Sequence, residues 1–221
     1  MQAFLIVTTA VPLVAIVVAA APGGAPEARN PAAARPVISH FVTADRCISC
    51  HNGLVTPAGE DASIGVEWRA SMMANSARDP YWQAGVRRET LDHPKAGADI
   101  EHECAGCHMP MARYDAVAAG ARGQVFAHLP IGAQATAAGL LAADGVSCTL
   151  CHQIADVNLG SRESFVANFA IDSFKLPGGD RRVFGPFAID PGRMRVMRSS
   201  SGFQPTEAAH VQRAEICASC H

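Results

Sequence analysis

The chain has 221 residues, a formal net charge of −2, and a composition that is 49% hydrophobic but only 6% aromatic. The length admits one or two domains, and near-neutral charge excludes the strongly basic surface of a nucleic-acid-binding protein. So few large aromatic side chains are a poor supply for a core of this size.

Taken in chain order, residues 4–21 are an apolar run without charge, interrupted by Pro12. We read residues 1–21 as a secretory signal or an uncleaved N-terminal membrane anchor. Residues 22–39, rich in proline and alanine, read as a tether. Residues 40–221 then form the functional domain, expected to be truncated at its C-terminus because the chain stops on His221. Trp68, Met72, Ala77, Tyr81 and Trp82 predict helix over 66–89, stopped at Pro80 and resumed after it. Residues 112–143 are alanine- and glycine-rich and predict helices joined by a turn at Leu129-Pro130. Between 161 and 202 the character turns β-prone: Phe169-Ala-Ile-Asp172 recurs as Phe187-Ala-Ile-Asp190, with Leu176-Pro-Gly-Gly179 between them. That pattern predicts a small β-hairpin or strand pair, with a partner-binding loop as the alternative. The fold class expected is mainly α, with long loops and this small β-hairpin region.

All eight cysteines fall in four Cys-x-x-Cys-His motifs: Cys47/Cys50/His51, Cys104/Cys107/His108, Cys148/Cys151/His152 and Cys217/Cys220/His221. This is the attachment signature of c-type haem. Each thiol of a pair can add to one vinyl group of a porphyrin, and the adjacent histidine serves as the axial ligand of its iron. Four haem c groups would also supply the apolar interior that the side chains lack. Zinc ribbons use Cys-x-x-Cys pairs too, and secreted disulfide frameworks use even cysteine counts, but neither gives a reason for a histidine after every pair. A thioredoxin-type redox pair lacks its βαβ context. Covalent haem is attached outside the bacterial cytoplasmic membrane, so the motifs and the leader point to the same extracytoplasmic, periplasmic location.

Five histidines lie outside the motifs: His40, His93, His102, His128 and His210. They suffice to give all four irons a sixth ligand. His40 and His210 each precede the first cysteine of a motif by seven residues, two turns if the stretch is helical. They are read as ligands of neighbouring haems. His102, two residues before Cys104, stands beside them as a first choice, His128 is the next candidate and His93 the last, while Met109 reads as packing. Arginine outnumbers lysine heavily, with only Lys95 and Lys175 present, and some of the arginines suit propionate carboxylates.

With Cys47, Trp68 and Ser71 in view, the segment 47–82 resembles the multihaem cytochromes of the cytochrome c-552/c-554 type. In that group a Trp-x-x-Ser-x-His element follows the first haem motif. Here Met73 stands at the histidine position, which makes it a candidate sixth ligand. The stretches Asp144-Gly-Val-Ser-Cys148 and Ser201-Gly-Phe-Gln-Pro-Thr206 resemble exported multihaem proteins as well. The resemblance implies an electron carrier with closely packed haems, its partners being other exported redox proteins or a membrane redox complex. The rival is an oxidoreductase acting on a small nitrogen or sulfur compound at one open iron, with Tyr114 and arginines as proton donors. A structural subunit of a haem filament is a third reading.

Overall fold

In the computed structural model of the chain, residues 39–220 other than 134, 174, 177 and 178 are described. The expected leader, the tether up to residue 38, Pro177 and Gly178 of the expected turn, and His221 lie outside them.

The described chain is mainly helical. Helices α1 (Asp45–Ile48), α2 (Ile64–Ala70), α3 (Pro80–Asp92), α4 (Gly97–His108), α5 (Pro110–Ala118), α6 (Ala137–Ala143) and α7 (Cys148–Cys151) come first. Then follow β1 (Arg181–Gly185), α8 (Pro191–Ser201) and β2 (Phe203–Glu207). Local chemistry sets several boundaries. Asp79 caps α3 by accepting the Tyr81 N–H, with Pro80 in the first turn, where a missing N–H costs nothing. Thr136 caps α6 through the Gly139 N–H. Asp190 caps α8 through the Arg193 N–H, again followed by proline, and Gly202 at φ 76° ends that helix.

The β region differs from the expected hairpin. Strands β1 and β2 pair in parallel, Arg181 opposite Phe203 through Gly185 opposite Glu207, so α8 is the crossover that a parallel pair requires. The two Phe-Ala-Ile-Asp echoes do not pair with each other. The first bridges Ile154 through Ile171, and the second leads into the α8 cap at Asp190.

The core is built from Phe41, Val86, Met109, Met111, Val125, Leu141, Leu150, Ile154, Phe169 and Ile171 among others. Met109 and Met111 are fully buried, in keeping with a packing role for Met109. Several cysteines (Cys104, Cys107, Cys220) border the same cluster.

The segment 39–44 is fastened to α7 and to the end of α6. The Thr149 hydroxyl donates to the Val42 carbonyl at 2.8 Å and accepts the Val42 N–H at 3.2 Å. Gln153 donates to the His40 carbonyl at 2.9 Å, and Asp144 accepts the Ala44 N–H at 2.8 Å. Thr149 is only 2% exposed, so Thr149→Val, nearly isosteric, strands two backbone groups of Val42. The expected loss is about 1–3 kcal/mol, read as a lowered midpoint in denaturant unfolding with an unchanged slope.

Candidate functional site

Each cysteine motif falls on a helical turn or helix end. The first lies on α1 and the residues just after it, the second closes α4, the third is α7 with His152 at its C-cap, and in the fourth Cys217 lies on the 3-10 turn Ala214–Ser219 with Cys220 just after it. None of the eight cysteines is in a disulfide; Cys50 and Cys217 are exposed and the other six half-buried.

Motifs distant in sequence are brought together in pairs. Cys47 and Cys148 share a thiol hydrogen bond that holds Cys148 down at about 7 while pushing Cys47 up. Cys107 and Cys220 form the same kind of pair: Cys107 is held at about 7 by the bond from Cys220, and Cys220 is pushed up. Burial pushes the Cys151 thiol up to about 11. The backbone carries the pairing further, the Ala167 N–H donating to the Ser219 carbonyl at 2.7 Å. A Cβ on Gly106, between the cysteines of the second motif, would meet the Ala167 Cβ at 2.8 Å. Glycine is the residue that lets this loop approach.

Two motif histidines are each held by a remote residue at two points. His108 Nδ1 lies 2.9 Å from the Ser76 carbonyl, and the Ser76 hydroxyl donates to the His108 carbonyl at 3.0 Å. Trp82 stacks on the His108 imidazole, 4.2 Å between centroids at 7°. His152 Nδ1 lies 2.5 Å from the Phe184 carbonyl, and the Phe184 N–H donates to the His152 carbonyl at 2.7 Å. A carbonyl can only accept, so Nδ1 carries the proton in both rings and Nε2 is left as the basic nitrogen. That is the tautomer and orientation in which imidazole serves as a metal ligand. His51 is exposed.

The candidate sixth ligands are scattered. His210 is 4% exposed and its Nε2 lies 2.8 Å from the Ile154 carbonyl, with Phe184 edge-on at 5.0 Å. It therefore sits beside the third motif, which is far in sequence from the fourth motif that His210 precedes. His40 packs edge-on to Tyr114 at 5.2 Å, with Nδ1 3.5 Å from Asp115. Neither shares a helix with the cysteine seven residues on, correcting that expectation. α1 begins only at Asp45, and the extended Arg213 separates the turn Ala209–Gln212 from Ala214–Ser219. His102 Nδ1 accepts the Gly123 N–H at 3.0 Å, and its Nε2 faces Arg113 at 3.2 Å. His128 is half-buried with Nδ1 unpartnered. His93 and Met73 are exposed.

Trp68 and Ser71 have a structural task that sequence reading missed. The Trp68 indole N–H donates to the Val146 carbonyl at 3.0 Å, and the Met73 carbonyl accepts the Val146 N–H at 3.0 Å. Ser71 closes the turn by donating to the Trp68 carbonyl at 2.7 Å. The element thus orients the approach to the third motif. The Ser76 and Phe184 clasps were also missed, since main-chain carbonyl acceptors leave no mark on residue type.

A buried polar cluster surrounds His40. Arg181 is 8% exposed with Nη1 unpartnered, and His40 Nδ1 is also without a hydrogen bond. Burial, and then the Arg181 charge, lower the His40 pKa. Burial raises that of Tyr114.

The donor set fits covalent porphyrin in its chemistry: thiols outside disulfides, and two histidines already in the ligating tautomer. Among the described residues, no three His, Cys, Asp or Glu side chains converge as a bare metal ion would need. No protein family, curated protein or solved structure matches the chain.

Proposed function

We propose that this chain is an exported multihaem cytochrome c that transfers electrons through four covalently attached haems. The observation that carries the reading is the motif set: four Cys-x-x-Cys-His sequences that account for every cysteine. Cys47 and Cys50, Cys104 and Cys107, Cys148 and Cys151, and Cys217 and Cys220 would hold the porphyrins. His51, His108, His152 and His221 would be the proximal iron ligands. When bound, the haem irons supply one-electron exchange between ferric and ferrous states.

The chain's own residues do the positioning. Ser76 and Trp82 fix the His108 ring, Phe184 fixes His152, and the contacts of the first motif with the third and the second with the fourth favour short distances between cofactors. The partners are other exported redox proteins or a membrane redox complex, and the family it resembles is the cytochrome c-552/c-554 type.

The expected result for the matured protein is four haems per chain in the pyridine haemochrome assay, with six-coordinate, low-spin spectra throughout. A colourless or zinc-loaded preparation contradicts the proposal. A second reading, an oxidoreductase acting on a small oxoanion, draws on the buried Arg181, His40 and Tyr114 cluster. One high-spin haem that binds nitrite, with binding lost in Arg181→Gln, would favour it over the carrier.

A further inference from the structure

Helix α8 is basic. The helix carries Arg193, Arg195 and Arg198 and no acidic residue within Pro191–Ser201. Arg195 and Arg198 converge with Arg46, Asp180 and Ser199 to Ser201 on one open cleft of about 500 Å³. Arg198 is paired with Asp180 at 2.5 Å. Arg46, itself exposed, donates to the Ser200 carbonyl at 2.9 Å, a cation at the negative end of the helix. Among the described residues, Asp180 is the cleft's one acidic group, and Arg46 and Arg195 bring positive charge without a carboxylate partner, on a chain whose formal charge is −2.

Arg46 is also the residue before Cys47. The cleft therefore adjoins the first cysteine motif, where Cys50 and His51 are exposed.

We propose that this arginine-lined cleft docks an acidic redox protein, which makes the first motif the place where electrons enter or leave. The inference rests on the electron-carrier reading. Carboxylates on a partner would complement Arg46 and Arg195, and such complementarity governs encounter rate and partner choice. The helix C-terminus disfavours a small free anion in the same place. A membrane surface fits less well, because Val196 is the one strongly exposed large apolar side chain on α8 and interfacial helices need a continuous apolar face.

The test uses the full matured chain with flavodoxin, a small acidic flavoprotein, as probe. In the transfer, the anionic flavin hydroquinone gives one electron and becomes the neutral semiquinone. One ferric haem becomes ferrous, and no proton moves. At low ionic strength, Arg195→Glu is expected to lower the second-order rate about tenfold and to weaken binding of redox-inert apoflavodoxin by a similar factor. Arg195→Lys keeps the charge and should retain both. Arg162→Glu, an exposed arginine outside the cleft, should change either by less than about twofold. Equal losses in Arg195→Glu and Arg162→Glu, or no loss in either, would overturn the docking face. So would a chain that ignores apoflavodoxin and binds phosphatidylglycerol vesicles through Arg195. A haem-free chain that still binds apoflavodoxin through Arg195 would keep the face and sink the carrier reading, whereas a four-haem chain indifferent to Arg195 would do the reverse.

Discussion

On the proposed haem attachment, replacing Cys148 and Cys151 together by serine is expected to cost the protein more than one haem. The third motif is the hub of the described structure. Thr149 and Gln153 hold the approach to the first motif, and Val146 just before it is bonded to Trp68 and Met73. His152 exchanges hydrogen bonds with Phe184 on β1, and the Ile154 carbonyl meets His210. Yet α7 itself is only four residues long, far below the length at which a helix persists unaided. If the proposed haem anchors this turn, removing its two thiols takes away what fixes all of these partners. Haem content should fall to two or fewer per chain. Loss of an anchoring cofactor of this kind is worth roughly 3–5 kcal/mol, which lowers the thermal midpoint by roughly 10 °C in a chain of this size. The matched Cys47→Ser, Cys50→Ser variant at the first motif, where Cys50 and His51 are exposed, should retain three haems and melt closer to the parent. If both double variants retain three haems and melt together, the third motif is no hub.

Gly145→Val should be the most damaging single change outside the motifs. Gly145 has φ +64°, a conformation that side chains with a Cβ rarely adopt. A Cβ there would also lie 2.7 Å from the Met73 carbonyl oxygen and 3.1 Å from that of Ala74. Both are backbone atoms, so neither can swing aside. Strain and overlap together are expected to cost about 3 kcal/mol or more. Gly59→Val serves as the comparison: its φ is +86° but nothing lies within 4 Å of the added Cβ, so only strain of about 1–2 kcal/mol remains. Urea unfolding of the two variants beside the parent separates the contributions, and equal losses would dismiss the contact with Met73.

Local signals in the residues were legible and distant ones were not. The helices either side of Leu129-Pro130 and the helical bias of the chain follow from caps, proline and alanine content, whereas the helix expected to run from 66 up to Pro80 ends at Ala70, and Pro80 starts α3 instead of stopping a helix. The parallel strand pair was misread because matching Phe-Ala-Ile-Asp segments look like partners. What decides their fate is Asp190-Pro191, a capped helix start. His40 and His210 were assigned to helices by spacing alone. Thr149, Gln153 and Asp144, each roughly a hundred residues away, hold the segment 39–44 instead. Of the candidate site, the thiols and motif histidines were visible at once, whereas their pairing across motifs depends on tertiary packing that no spacing encodes.

The grips on His108 and His152 end on main-chain oxygens, those of Ser76 and Phe184. Every amino acid carries that oxygen, so substitutions at these two positions can alter the surroundings of the rings without deleting the acceptors themselves. Ring orientation is thus insulated from sequence drift, and if the proposed haems are bound there, the side chains around the rings stay at liberty to tune them.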